Sequence, residues 1–331
     1  MCDISILNLY GEVLATSSIK CYNISIMENL KRYNTLSEYL KNKFGERTLK
    51  ICIDGGFTCP NRDGTVSKNG CIFCSERGSG EHICNESSIS LQIKRYFASY
   101  KSSRANKFIV YFQNFSNTYD SVANLKKKYD SALIDERIVG LQIATRPDCI
   151  NEDICKLLNT YTSKYYVCVE LGLQTTNETT AKFINRGYTN SVYTAAVEML
   201  KKHGINVVTH IMIGLPGETK DDLAKTINFV NQHDIDGIKI HNVYVVRNTV
   251  LANLYNQKLY TPINFEEYMD CLVYSITHLR PDIVIHRISG DAPKDLLLAP
   301  EWNVHKKWVL NGLDRILKEK DLYQGIFFNK K

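Results

Sequence analysis

Several things are missing from this 331-residue chain, and each absence excludes a class of protein. No apolar run approaches the roughly 20 residues that a membrane-spanning helix needs. The N-terminus has no basic stretch leading into a clean apolar segment, so export is not expected. No internal repeat or low-complexity tract stands out, which argues against repeat arrays and linker-rich chains. Neither sign of charge dominates. The 41 Lys and Arg against 35 Asp and Glu leave a net charge of +6, mild enough to permit a nucleic-acid partner without demanding one.

What is present is ordinary globular material. Hydrophobic residues make up 44% and charged residues 23%, ample for a core in one large domain or two medium ones. Eleven cysteines without an export signal point to a reducing compartment, and the cytoplasm is the expected location. An odd cysteine count also fits a full disulfide framework badly.

Residues 1–26 show no sustained helical or strand period, and they are expected to be a tail, with Met27 a candidate natural start. An N-terminal helix is expected within 27–48. Thr35-Leu36-Ser37-Glu38 reads as a capping box, and Leu36, Tyr39, Leu40 and Phe44 follow at helical spacing. From there the chain alternates. Strand patterns occur at Leu49–Asp54, Phe108–Phe112, Ile138–Ala144, Tyr165–Leu171, Asn206–Ile213, Gly237–Val243 and Ile283–Ile288. Helical stripes lie between them: Val122, Leu125, Tyr129, Leu133; then Val192, Ala196, Val197, Leu200; then Leu223, Ile227, Val230. Asn151, Asn177 and Thr219 are placed to cap helices. Nearly continuous apolar strands alternating with helices predict an α/β protein with a parallel sheet covered on both faces, as a barrel or open sheet.

Chemistry concentrates just after the first strand pattern. Gly55-Gly56 closes it, and Cys59, Cys71 and Cys74 follow, the last two as Cys-x2-Cys. Two soft ligands on one tight turn plus a third thiolate make a metal-binding face. Spacing alone leaves two readings open. Cys84 or His82 completes a four-ligand zinc site, or the three thiolates hold an iron–sulfur cluster with one position vacant.

The run Asp54-Gly55-Gly56-Phe57-Thr58-Cys59-Pro60-Asn61-Arg62-Asp63-Gly64-Thr65, followed by Gly70-Cys71-Ile72-Phe73-Cys74, resembles the radical S-adenosylmethionine (SAM) superfamily. More narrowly it resembles the YtqA/YhcC-like group, whose cysteine loop has a longer first gap. Further segments fit in order: Tyr111–Tyr119, Thr145-Arg146-Pro147-Asp148, Glu170–Thr175, Asn185-Arg186-Gly187, His210–Thr219 and Arg287–Pro293.

The resemblance implies a partial (β/α)6-type TIM-like barrel over 49–290, with 291–331 as a C-terminal extension packed on it. It implies a [4Fe-4S] cluster held by Cys59, Cys71 and Cys74, whose open iron binds SAM. Reductive cleavage then gives methionine and a 5′-deoxyadenosyl radical that abstracts hydrogen, with electrons from a donor such as flavodoxin or ferredoxin. SAM-binding candidates by position are Phe73, Gln113, Asn114, Glu170, Gln174, Arg186, His210 and Gly214. Relatives carry a carboxylate where this chain has Ala144, and Glu170 is the candidate replacement.

Plainer readings stand beside these. Glu170 and Gln174 lie in a buried strand pattern where polar groups must be paired. Arg186 also reads as a surface loop residue. Gly214-Leu215-Pro216-Gly217 also reads as a strand-to-helix turn. His241, His286 and His305 read as packed or solvated histidines, and Trp302, His305 and Trp308 as core or closing-helix packing. Cysteines outside the trio mostly read as small hydrophobes, with Cys84 the exception.

The resembling group points to a tRNA partner and a wobble uridine bearing a 5-aminomethyl-type side chain, as do elongator catalytic subunits sharing the Thr-Arg-Pro-Asp pattern. The rival expectations are radical chemistry on a small metabolite or peptide, and a zinc-stabilised binding module without catalysis.

Overall fold

The computed structural model describes residues 31–78, 80, 81, 83 and 88–329. The expected tail, Met27, His82 and Cys84 lie outside the described residues.

The described residues begin with α1 (Leu36–Phe44) and β1 (Thr48–Ile53). There follow α2 (Ile89–Ala98), β2 (Lys107–Phe112), α3 (Val122–Asp130), β3 (Ile138–Thr145), α4 (Glu152–Thr162) and β4 (Tyr166–Gln174). Next come α5 (Glu178–Phe183), α6 (Asn190–Lys202), β5 (Asn206–Ile213), α7 (Lys220–Gln232) and β6 (Gly237–Asn242). The last elements are β7 (Val245–Val246), α8 (Val250–Asn256), α9 (Phe265–His278), β8 (Val284–Arg287), β9 (Leu297–Ala299) and α10 (Lys306–Glu319). All seven strand patterns expected from the sequence are strands.

They form one parallel sheet in the order β1-β2-β3-β4-β5-β6-β8. The sheet is a half-barrel with one strand more than a six-unit barrel. β7 and β9 make a separate antiparallel pair. Consecutive βα units add strands in one direction because crossovers between parallel strands keep one hand. β2 and β4 are buried along nearly their whole length, which is why their sequences run apolar without alternation.

Caps set the helix starts. Asn151 Oδ1 accepts from Ile154 N–H at 3.0 Å, and Glu152 and Asp153 complement the helix dipole. Thr219 and Asp222 form a reciprocal capping box. The Thr35 cap differs from expectation. Its hydroxyl accepts from Glu38 N–H, but the Glu38 carboxylate accepts from that hydroxyl and not from the backbone. Leu133, expected on a helical stripe, follows α3 in a turn.

One large core joins the sheet to its outer helices. Trp302 belongs to it, with its indole stacked 5.0 Å from Tyr268 and its N–H donating to Ile263 O. Trp308, within α10, does not belong. It is 55% exposed, stacks on His305 and meets Phe265 edge-on at 6.4 Å, so core packing describes only the first of the two tryptophans.

The chain's described ends meet at the seventh strand. Asn34 and Thr35 lie along β8, with Ile285 N–H donating to Asn34 O at 2.8 Å. The Gln324 side chain accepts from Asn34 N–H and donates to the carbonyls of Arg280 and Ile283.

Candidate active site

A cavity of about 760 Å³ lies inside the half-barrel. Cys59, Cys71 and Cys74 line it, together with Phe73, Gln113, Glu170, Gln174 and His210. Asn114, Arg186 and Gly214 do not line it. Asn114 is buried beneath the loop after β2, where its amide donates to Asp54 at 2.7 Å. Arg186, 1% exposed, is no surface loop residue. Its guanidinium holds the carbonyls of Leu173, Thr175 and Tyr188, the Asn190 side chain and Glu178. Every arm is taken by the chain itself. Gly214 borders a neighbouring pocket of about 530 Å³, and its carbonyl accepts from Tyr260.

The cysteine loop is built tightly. Asp63 N–H and Arg62 N–H bond back to Cys59 O, and Cys74 N–H donates to Cys71 O. Asn61 donates to Cys71 Sγ and Arg62 to Cys74 Sγ, each at 3.5 Å. Gly70 adopts φ 68°, and its carbonyl is held by Asn185 at 2.6 Å, fastening the loop to the turn after α5. Burial, then the neighbouring Cys74 charge, pushes the Cys71 thiol up to about 12. Burial likewise raises Cys74, against the pull of Arg62. Three soft donors clustered in one loop suit an iron–sulfur cluster, which would stabilise their thiolates against the burial that raises the free thiols. The buried Ser116 hydroxyl, on the cavity wall, and the Asn61 and Asn117 side-chain oxygens lack partners among the described residues. Of these Ser116 lines the cavity, and an orphan polar atom there marks a ligand position. Among the described residues no three His, Cys, Asp or Glu close on a single metal ion. A four-iron cube does not require that, since each thiolate takes a different iron. The residues present therefore fit the cluster.

Below this layer sits a polar floor. Glu170 is adjacent to Ala144 across β3 and β4, as its proposed replacement role requires. Both of its oxygens are already engaged. Tyr111 and Lys239 donate to Oε2, with His210 Nε2 3.0 Å from the same atom; Gln142 donates to Oε1, and Lys50 lies 3.7 Å from it. Burial would raise the Glu170 carboxyl, but Lys239, Lys50 and His210 together hold it well below the usual range. Burial, only partly offset by Glu170, brings Lys239 down to about 8. Burial and Lys239 likewise lower His210, so its ring is neutral at pH 7.

Sequence reasoning missed several lining residues: Lys50, Lys239, Tyr111, Arg146, Tyr188 and His241. A lysine inside an apolar strand was the available signal, since a buried charge needs a partner. Arg146 forks onto Asp148 at 2.7 and 2.9 Å and donates to Arg186 O. His241, expected to be packed or solvated, borders the cavity, and its Nε2 has no partner among the described residues. Cys52, expected to pack as a small hydrophobe, is exposed to the cavity, whereas Cys149, Cys155, Cys168 and Cys271 are buried as expected. Gln174 is at φ 61°, and its side chain meets the Tyr188 hydroxyl at 3.1 Å.

A half-barrel with a three-cysteine loop above its first strand defines a radical SAM protein. The Radical SAM superfamily profile matches residues 63–230 and the Radical_SAM C-terminal domain residues 235–319. The chain belongs to the radical SAM superfamily, whose members are enzymes that use a [4Fe-4S] cluster and S-adenosylmethionine. It is 38% identical to YtqA of Bacillus subtilis over 304 residues, 91% of this chain and 94% of that protein. It is 33% identical to YhcC of Escherichia coli K12 over 294 residues, 88% and 94% of the two chains. A shorter match, 29% over 168 residues, joins 50% of this chain to 30% of a tRNA uridine(34) acetyltransferase of Methanocaldococcus jannaschii. The solved structure of Methanocaldococcus infernus Elp3 shares the fold at TM-score 0.64 and 18% identity, over 84% of this chain and 64% of that one. Membership decides between the two metal readings in favour of the cluster. No helix among the described residues is long and apolar enough to cross a membrane.

Proposed function

We propose that this enzyme modifies tRNA, acting on a C–H bond of the side chain at carbon 5 of the wobble uridine during interconversion of 5-aminomethyl-type modifications. The observation that carries this reading is the 168-residue similarity to a protein named for tRNA uridine 34. Its span includes about half of this chain.

Cys59, Cys71 and Cys74 hold the cluster, and Asn61 and Arg62 donate to two of their sulfurs. When bound, the cluster supplies one electron to SAM, which yields methionine and a radical able to take hydrogen from an unactivated carbon. The chain's own residues bind and orient. Phe73 and Gln113 border the cavity beside the thiols, and we assign them the SAM adenine and methionine ends. Gln174 and His210 face the same space from β4 and β5 and contact the ribose. Glu170 serves from below, fixing His210 and Tyr111. Arg186 holds backbone under the site, Asn114 braces the Asp54 carboxylate, and Gly214 shapes the turn behind it. The electron donor is a flavodoxin- or ferredoxin-type protein.

Anaerobic incubation with SAM, dithionite and bulk tRNA tests the reading. 5′-Deoxyadenosine should rise when tRNA from a strain lacking the gene is added. If deletion of the gene leaves the wobble-uridine nucleosides unchanged in mass spectrometry, the tRNA assignment is wrong.

A further inference from the structure

Residues 87–119 contain no Asp or Glu and five Lys or Arg: Lys94, Arg95, Lys101, Arg104 and Lys107. This one stretch supplies most of the chain's net +6. It folds as α2, a 3₁₀ turn over Tyr100–Arg104, and β2. Lys107 is occupied, donating to Phe44 O at 2.8 Å beside Glu46. Lys94, Lys101 and Arg104 are exposed, and among the described residues none of the three makes a salt bridge or a side-chain hydrogen bond. Tyr100, next to Lys101, is 77% exposed, the most open large ring among the described residues.

The turn is firmly held. Ser99 Oγ donates to Tyr96 O, Ser102 Oγ to Phe97 O and Ser103 Oγ to Tyr100 O, at 2.7 to 2.9 Å. Phe97 packs edge-on against Phe108 at 5.0 Å. The exposed groups are therefore presented on a fixed base.

Their position matters most. Tyr96, Lys101 and Arg104 line the same cavity as the three cysteines, beside Leu49, Lys50 and Cys52 of β1. β1 is a terminal strand of the open sheet. The cavity thus reaches past the β1 edge, and its border there carries two exposed cations, with the bare Tyr100 ring next to Lys101 in the chain. Phosphates pair with such cations, and an unstacked base gains by lying on such a ring.

We propose that Lys101, Arg104 and Tyr100 form the entry contact for a single-stranded RNA loop, phosphates on the two cations and a base on the ring, with the target nucleotide passing over β1 into the cavity. This rests on the tRNA reading above.

The test is fluorescence anisotropy with a labelled anticodon stem-loop RNA across a salt series, using the anaerobically reconstituted enzyme. Lys101→Ala with Arg104→Ala should reduce the log K against log salt slope by about 1.4, about 0.7 for each single-strand phosphate that no longer meets a cation. Tyr100→Ala should weaken binding about tenfold at an unchanged slope. Lys101→Arg with Arg104→Lys should keep the wild-type slope, which separates charge loss from misfolding. Lys127→Ala with Lys202→Ala, on the outer helices, should change neither. Wild-type binding that all variants share would overturn the entry contact and leave the tRNA reading standing. An equal slope change in the outer-helix variant would overturn it as unspecific charge. A wild-type enzyme that does not bind the RNA would overturn both.

Discussion

The Lys239 ammonium lies 2.6 Å from the Glu170 carboxylate, reaching from β6 past β5 to β4. Both side chains are almost wholly buried, at 7% and 0% exposed. Tyr111 on β2 and Gln142 on β3 reach the same carboxylate, so five consecutive strands from β2 to β6 meet on or beside one group.

Removing that group strands its donors. Glu170→Ala should cost roughly 3–5 kcal/mol, the usual result of leaving a buried cation without its partner. Denaturant unfolding in the absence of cluster measures it. A loss below about 1 kcal/mol would show that the floor is not a stabilising hub.

Glu218 predicts a pH dependence. Burial raises its carboxyl from 4.5 to about 7, and its Oε1 has no partner among the described residues. The folded state then binds the proton more tightly than the unfolded state. The stabilisation is full below about pH 4.5 and is lost as pH rises through 7. Glu218→Gln should therefore gain stability over the parent by on the order of 2 kcal/mol at pH 8 and almost nothing at pH 4.5. Thermal melts at the two pH values decide, and a gain independent of pH would refute the assignment.

Iron content separates the cysteines. Cys59→Ala, Cys71→Ala and Cys74→Ala should each lose the cluster's broad visible absorption and most bound iron and sulfide. Cys52→Ala, Cys168→Ala and Cys84→Ala should keep them. Loss of iron in the Cys84 variant would mean a fourth thiolate closes the position that SAM needs.

Gln174 carries strain at a useful place. A non-glycine residue at positive φ persists where function or packing demands it. Gln174→Gly should leave the melting temperature unchanged or slightly higher. It should weaken SAM binding about tenfold, the cost of one good polar contact. Equal SAM affinity, measured calorimetrically on the reconstituted protein, would remove Gln174 from the cofactor site.

Much of the architecture can be read from the chain because parallel strands buried on both faces are written as apolar runs, and Lys107–Phe112 and Asn206–Ile213 needed no context to identify. The cysteine trio was equally plain, since its members are close in sequence. The polar floor was not. Lys50 and Lys239 are single lysines in largely apolar strands, and only the register, His210 beside Lys239 and Ala144 beside Glu170, brings the floor's side chains together. Arg146 and Arg186 show the same limit. Both sit in recognisable motifs, yet one borders the cavity while the other is consumed in holding carbonyls. Which way each points depends on turns that no local pattern specifies.

The short ribbon at Asn34–Thr35 has a consequence for handling the protein. Its Asn34 carbonyl takes the Ile285 N–H of β8, where a bare sheet edge would recruit a strand from a neighbouring molecule. The Gln324 amide clasps it from the far end of the chain. Trimming either end through this clasp should therefore produce sticky, self-associating material, with turbidity appearing before any loss of helical signal.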